Sequence, residues 1–511
     1  MELTREQIAA VAERRREAYE PVIGLEVHVQ LKTASKIFCG CSTRFGDPPN
    51  ANVCPVCLGL PGSLPVLNRQ AVELAVRTAL ALNCTVRERS RVARRNYFYP
   101  DLPKGYQISQ FELPLSEHGR LEINLPAAGA AGLNKEKKRI GITRLHLEED
   151  AGKSLHEGFP DSDPAVGGAG RNTYLDFNRC GVPLIEIVSE PDLRAPQEAY
   201  EYLTTLKQIL EYLEVSDCDM EKGSLRCDAN VSVRRRGAEK FGVKAEVKNL
   251  NSFRYLVRAL EYEIDRQVAL LENGGTVEQE TRLFNVQAGS TEPMRSKEFA
   301  HDYRYFPEPD LLPLAVDAAW QEKIRGAMPE LPAAKRARFV RDYGLTDYDA
   351  GVLTATRALA DYFEAAAAKS PNAKSAANWI QSELLALLKE SGKEIGDSPV
   401  KPEALGELLE LVEGGTLSGK MAKTVFQKMF AIGKRASEIV AAEKMEQVSD
   451  LGAIEKLCRQ VVEANPKEVE SYKKGKTALF SFFVGQVMKA SRGQANPQLV
   501  NDTLNKLLNT Q

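Results

Sequence analysis

Two groups of residues in this sequence have the types and spacing to do chemistry. The first is Cys39, Cys41, Cys54 and Cys57, spaced C-x-C-x12-C-x2-C within "FCGCSTRFGDPPNANVCPVCLG". Two short thiol pairs joined by a loop holding Gly46, Pro48, Pro49 and Asn50 suit a knuckle that folds both pairs onto one tetrahedral zinc ion. Four thiolates close the coordination sphere, so such a site holds a loop in place and offers no position for a reactive water. The other cysteines, Cys84, Cys180, Cys218, Cys227 and Cys458, are scattered and read as small core residues.

The second group is a set of carboxylates and one imidazole on alternating segments. In "GLEVHVQL", Leu25, Val27, Val29 and Leu31 face one way while Glu26, His28 and Gln30 face the other. "SLRCDANVSVRRR" puts Arg226, Asp228, Asn230 and Ser232 on one face, and "GVKAEVKN" does the same for Lys244, Glu246 and Lys248. A hairpin turn centred on Gly237 would set Asp228 directly opposite Glu246, a like-charge pair that calls for a cation between them. Glu149 shares its strand face with Leu145 and Leu147, and Glu186 lies inside the apolar run "VPLIEIV". A half-buried carboxylate is costly without a base, a donor or a metal beside it. Taken together, these residues suit a hard cation such as Mg2+ and the phosphates of a nucleotide. Neither familiar glycine loop supplies that nucleotide site: "AGKS" at 151–154 is no P-loop, because Leu147 stands where the first glycine belongs.

The elements that must position these groups are short alternating strands with Gly/Pro turns over residues 21 to about 290. Helical stretches interrupt them near 68–83, 196–213 and 252–272. The expected fold class is α+β, with an antiparallel sheet followed by helical regions. From about Trp320 onward the period is helical, and "GDSPVKP" at 396–402 divides that part in two. The expected domains are an N-terminal helical extension (1–20), a sheet domain (21–295), a helical domain (296–402) and a helical tail (403–511). Thr4-x-x-Gln7 offers a capping box to the first helix, whose five glutamates by residue 20 argue against a signal or transit peptide.

The 511 residues are 43% hydrophobic and 27% charged, an ordinary globular composition that can bury a core without disulfides. No apolar run approaches the ~18 residues that span a bilayer. A reducing cytoplasm is the expected compartment, where clustered thiols serve as metal ligands rather than disulfides. With a net charge of -2 the chain has no global attraction for a polyanion, so nucleic-acid contact must come from local patches. The segment from Ala464 to Gln511 is one, with seven basic against three acidic side chains, a net of +4.

Seven blocks, "VIGLEVHVQLKT", "RNYFYPDLPKGYQISQ", "ITRLHLEEDAGKS", "PLIEIVSEPD", "GSLRCDANVSV", "AEVKNLNSF" and "GQVMKASRGQANPQLV", closely resemble the B subunits (GatB) of tRNA-dependent amidotransferases, the GatCAB complexes. The resemblance runs from about residue 20 to the C-terminus. It implies a kinase-like "cradle" domain, a helical domain and a YqeY-like tail that grips tRNA. It implies a heterotrimer with a larger amidase partner (GatA) and a small third partner (GatC), acting on Glu-tRNA(Gln), Asp-tRNA(Asn) or both. In that family ATP and Mg2+ phosphorylate the side-chain carboxylate of the misacylated amino acid, and ammonia from the amidase partner displaces the phosphate.

The resemblance further implies Glu26, His28, Glu149, Asp228 and Glu246 as catalytic residues, and Glu186, Asp228, Glu246 and Lys248 as nucleotide-site residues. His28, Glu149 and Glu186 are the expected Mg2+ ligands, and Arg95 and Glu149 are expected to line the ammonia path. Arg95 stands where the family pattern has lysine. The chain has no amidase Ser-Ser-Lys constellation and is not expected to make ammonia itself. A competing reading is a zinc-stabilised, tRNA-binding scaffold that uses no nucleotide.

Overall fold

The clean alternation of "GLEVHVQL" builds a strand whose two faces do different work. Leu25, Val27 and Val29 are buried in an apolar core, while Glu26, His28 and Gln30 on the other face remain partly accessible. The computed structural model describes residues 4–126, 135–155, 173–296, 303–443, 445, 450–491 and 494–509. The chain divides into two compact units, Met1–Leu331 and Pro332–Gln511.

In chain order the strands of the first unit are β1 (Tyr19–Gln30), β2 (Thr85–Val86), β3 (Arg89–Ser90), β4 (Ala93–Asn96), β5 (Tyr106–Ser109), β6 (Ser116–Pro126), β7 (Lys135–Glu149), β8 (Lys153–Leu155), β9 (Tyr174–Asp176), β10 (Pro183–Ser189), β11 (Leu225–Arg235), β12 (Ala245–Lys248), β13 (Glu280–Asn285), β14 (Ser290–Ser296), β15 (Phe306–Pro307) and β16 (Leu314–Ala315). Nine of them form one sheet in the order β14-β13-β12-β11-β1-β10-β7-β6-β2. β1 lies at its centre, between β10 and β11, and so brings together segments far apart in sequence. A smaller sheet, β15-β4-β5, adjoins it.

The sheet is mixed, which corrects the expectation of an antiparallel one: β12 and β13 run parallel. Parallel neighbours need a crossover, and the helix Phe253–Glu272 between them supplies it. Helices α1 (Arg5–Arg15), α2 (Arg69–Ala81), α3 (Pro196–Tyr212) and α4 (Phe253–Glu272) fall close to the segments their periodicity marks. Side-chain caps and a proline fix their starts. Asn68 accepts from the N–H groups of Gln70 and Ala71, Pro196 opens α3, and Ser252 accepts from the Tyr255 N–H. The capping box of α1 is complete in both directions between Thr4 and Gln7.

The apolar faces of α2, α3 and α4 close on the apolar face of the sheet, with Val76, Leu206 and Leu260 in one core with Val27, Leu145, Ile187 and Val231. The opposite sheet face is left to its polar side chains. That division is what makes a site possible here.

The domain boundaries differ from those expected. Val316 and Ile324 belong to the core of the sheet unit, which therefore continues past residue 295. The break at 396–402 interrupts the helices but not their packing: Val400, Leu405 and Leu408 share one core with Phe339 and Phe363. A separate small core, with Ile454, Phe483, Val500 and Leu504, holds the last helices together. Of the basic residues counted in the tail, Arg492 lies outside the described residues. Among the described residues no helix is long and apolar enough to cross a membrane.

Candidate active site and thiolate knuckle

The polar face of the central strands gathers the candidate residues. Direct pairing sets His28 opposite Glu186 and Glu186 opposite His146, and Glu148 lies one pleat along β7. His28, Glu148 and Glu186 each offer one ligand atom, and the three atoms lie within 4.8 Å of one another. His28 Nδ1 is 3.0 Å from Glu148 Oε1, and His146 Nε2 is 3.5 Å from Glu186 Oε2. Burial pulls the His28 imidazole down, but the Glu148 hydrogen bond and the charges of Glu186, Glu148 and Asp228 outweigh it and raise the pKa to about 9. Glu148 is held well below the usual carboxylate range: burial raises it, and the two histidines beside it more than reverse that. One nitrogen and two carboxylate oxygens at this spacing form a donor set for a hard divalent cation.

The set differs from the expected trio in one member. Glu149 is only 1% exposed and lies on the other side of β7, among the leucines, as the alternation requires. Its carboxylate is ion-paired with Lys104 and accepts the Ile108 N–H at 2.8 Å, so it is not brought to His28. Glu148 takes the place expected of Glu149. The signal that finds Glu148 is the parity of "LHLE", in which His146 and Glu148 share the face opposite Leu145 and Leu147.

On the β11 side, the register also departs from expectation. Asn230, not Asp228, stands opposite Glu246. The pairing is shifted by two residues, which keeps every side chain on its expected face and replaces the like-charge pair with an ion pair. Lys248 Nζ lies 2.5 Å from Asp228 Oδ2 and 3.3 Å from Glu246 Oε1. No cation is needed to hold these two carboxylates. Burial lowers the Lys248 ammonium, and Asp228 and Glu246 more than compensate. Glu246 also accepts from Thr281 Oγ1, and Glu26 accepts from Asn230 Nδ2. Beside Glu26 opens a cavity of about 260 Å3 whose walls include Val22, Gly24, Pro191 and Phe241.

The four knuckle thiols come together, with their sulfur atoms within 4.8 Å of one another. The thiol of Cys39, the backbone N–H of Cys54 and the Lys36 charge push the Cys57 pKa down, against the opposing effect of burial. Lys36 is buried, and its ammonium donates to Asn52 O at 2.7 Å, Phe177 O at 3.1 Å and Cys57 Sγ at 3.6 Å. Local sequence gives no sign of this lysine's role, because its partners lie up to 141 residues away. The knuckle walls a cavity of about 160 Å3 whose opposite side is Lys104 and Glu149. Gly59 closes it against the lysine: its φ is +66°, and a Cβ there would fall 2.2 Å from Lys104 Cγ. Arg95 stands nearby, its Nη1 3.4 Å from Gln107 Oε1 while Gln107 Nε2 donates to the Glu149 carbonyl.

Known proteins share the sequence pattern of both halves of the chain. Residues 21–322 match the family model described as the GatB/GatE catalytic domain, and residues 361–508 match the GatB domain. The chain is 56% identical over 486 residues to the B subunit of the aspartyl/glutamyl-tRNA(Asn/Gln) amidotransferase of Carboxydothermus hydrogenoformans, covering 95% of this chain and 98% of that protein. The protein of the same name from Moorella thermoacetica is 56% identical over 490 residues, covering 96% of this chain and 100% of that one. That from Geotalea uraniireducens is 55% identical over 491 residues, at 96% and 99%. With both halves of the chain matched in order and nearly the full length of each relative covered, the chain belongs to the family of aspartyl/glutamyl-tRNA(Asn/Gln) amidotransferase B subunits.

Proposed function

We propose that this chain is the ATP-dependent kinase subunit of an RNA-directed amidotransferase. The observation that carries the reading is the meeting of His28, Glu148 and Glu186 within 4.8 Å, on the same sheet face as Glu26, Asp228, Glu246 and Lys248. A scaffold has no need of such a face. The substrate would be Glu-tRNA(Gln), Asp-tRNA(Asn) or both, in keeping with the names of the relatives.

The chemistry follows from the leaving group. A carboxylate oxygen cannot be displaced by ammonia, so the side-chain carboxylate attacks the terminal phosphate of ATP, ADP leaves, and an acyl phosphate forms. Ammonia from an amidase partner then attacks the carbonyl carbon and expels phosphate. Phosphoryl transfer asks for positioning and charge neutralisation rather than a protein nucleophile. Mg2+, when bound, would neutralise phosphate charge, and His28, Glu148 and Glu186 are the residues that fit it. Lys248, kept charged by Asp228 and Glu246, can meet a phosphate, and the cavity beside Glu26 offers an apolar floor for the base. The sheet face then serves as the cradle, while Arg95, Lys104 and Glu149 border the ammonia path. A small third protein and a tRNA-gripping tail complete the assembly.

The test is ADP formation by the complex with the amidase and small partners, given Mg2+, ATP and Glu-tRNA(Gln) or Asp-tRNA(Asn). Release that requires the misacylated tRNA, and is absent with the uncharged one, is the expected result. No release with either substrate under any condition sinks the kinase reading and leaves the scaffold.

The knuckle would hold structural zinc, and Lys36 bears on how tightly. A buried ammonium set against a thiolate offsets the negative charge of four sulfurs, and partners beyond the ligands typically carry about 10- to 100-fold in metal affinity. Lys36→Met should therefore release zinc to a chromogenic chelator about ten times faster than the wild-type chain. An unchanged release rate would show that the ammonium serves only the two carbonyls.

A further inference from the structure

The small sheet β15-β4-β5 carries two aromatic segments at one end, Tyr97-Phe98-Tyr99 after β4 and Tyr303-Arg304-Tyr305 before β15. Because β15 runs antiparallel to β4, with Phe306 opposite Arg94, the two segments come side by side. Asn96 fastens them, its side-chain amide donating to the carbonyls of Tyr303 at 3.0 Å and Arg304 at 2.7 Å. Arg304 is held at φ +44°, a left-handed conformation that a side chain other than glycine adopts only under constraint. Its guanidinium lies 5.6 Å from the Phe98 ring. Ring-on-ring stacks and ring–guanidinium contacts occur side by side in the cluster. Tyr97 stacks on Tyr99 at 4.4 Å, Arg95 lies 4.1 Å over Tyr303, and Tyr305 stacks on Phe111 at 4.3 Å. Yet Phe98 is 73% exposed and Tyr99 45% exposed.

The cluster grows out of the carboxylate site. Ser109, at the other end of β5, donates from Oγ to Glu148 Oε2 at 3.4 Å. Tyr106 lies three positions along the strand from it, so the aromatic end begins about 10 Å from the proposed phosphoryl-transfer centre.

We infer that this aromatic and arginine cluster is the seat of the unstacked terminal base of the aminoacyl-tRNA, holding the 3′ end so that its esterified side chain reaches Glu148 and Glu186. The inference rests on the function proposed above. Nucleic acid suits the cluster better than a protein partner does, because exposed flat rings beside guanidinium groups match a nucleobase attached to a phosphate chain, and aliphatic side chains take little part. A single-stranded end read by stacking is also the usual form of contact to unpaired RNA.

The test uses the complex with the amidase and small partners and a tRNA whose terminal adenine is replaced by 2-aminopurine, a base whose fluorescence falls on stacking. Wild type and Phe98→Tyr should quench it, and Phe98→Ala should not. The same alanine variant should raise KM for Glu-tRNA about ten-fold, the scale of one lost base stack, while tRNA lacking its terminal nucleotide binds all three equally. Quenching by Phe98→Ala equal to wild type overturns the inference. So does failure of that variant to assemble with its partners while quenching persists, which would assign the cluster to a protein interface. ADP formation measured on the wild-type samples judges the kinase reading separately, since quenching does not depend on it.

Discussion

The Glu148→Gln substitution is expected to weaken Mg2+ or Mn2+ binding by about 100-fold or more, beyond the usual cost of losing a partner outside the ligand set, and to abolish tRNA-dependent ADP formation. Titration calorimetry of the metal and the ADP assay read the two effects. The amide keeps the size of the side chain and one acceptor for His28, so the fold should survive. What it loses is the charge next to His28 and His146. A metal affinity unchanged by the substitution would remove Glu148 from the site.

The same pair sets a pH dependence. In the metal-free chain the His28 pKa is raised from 6.5 to about 9, so the imidazole stays protonated through neutrality. A raised folded-state value means that the pair's contribution to stability is complete below pH 6.5 and is lost as the pH rises through about 9. Cation binding works against it, since a ligand imidazole must be neutral. Metal affinity should therefore increase with pH and level off above about 9. The Glu148→Gln variant, with less negative charge beside the ring, should lose most of that slope.

Much of this site can be read directly from residue order, because strand parity is strict. The faces of Glu26, His28, Asp228, Asn230, Glu246 and Lys248 all follow from alternation alone, and a two-residue shift in register leaves parity untouched. What parity cannot supply is the register itself. The segment between Arg235 and Ala245 is long and irregular, so its centre falls beyond Gly237, and the ion pair of Lys248 with Asp228 replaces an expected repulsion. Parity also separates Glu148 from Glu149, yet a carboxylate among leucines draws attention first because its burial demands a partner. That partner is Lys104, 45 residues away, on a segment whose place in the fold no local pattern reveals. The break at 396–402 misleads for a related reason. Proline and glycine end helices locally, whereas a domain ends only where the core does, and Val400 and Leu405 bury in a common core.

Lys104→Met should separate the two half-reactions that the proposed function assigns to the two faces of β7. The ammonium is pulled down by burial and held up by Glu149, and the two side chains are 6% and 1% exposed. Removing one partner of so buried a pair leaves the other charge uncompensated, at a cost of about 3–5 kcal/mol. Glu149 would keep the Ile108 N–H alone. The double variant Lys104→Met/Glu149→Met, in which neither charge remains, should regain most of that stability in urea denaturation of the chain, since replacing a buried pair by apolar groups is often neutral. Function should not return with it. In both variants the cavity between the knuckle and the pair loses the Lys104 ammonium from its wall, so ammonia delivery should fail in the single and the double variant alike. His28, Glu148 and Glu186 are untouched on the other face of the sheet, so misacylated tRNA should still drive ADP release in the double variant without yielding amidated product. Loss of ADP release in the folded double variant would show that the two faces act as one site, and normal amidation would show that ammonia arrives by another route.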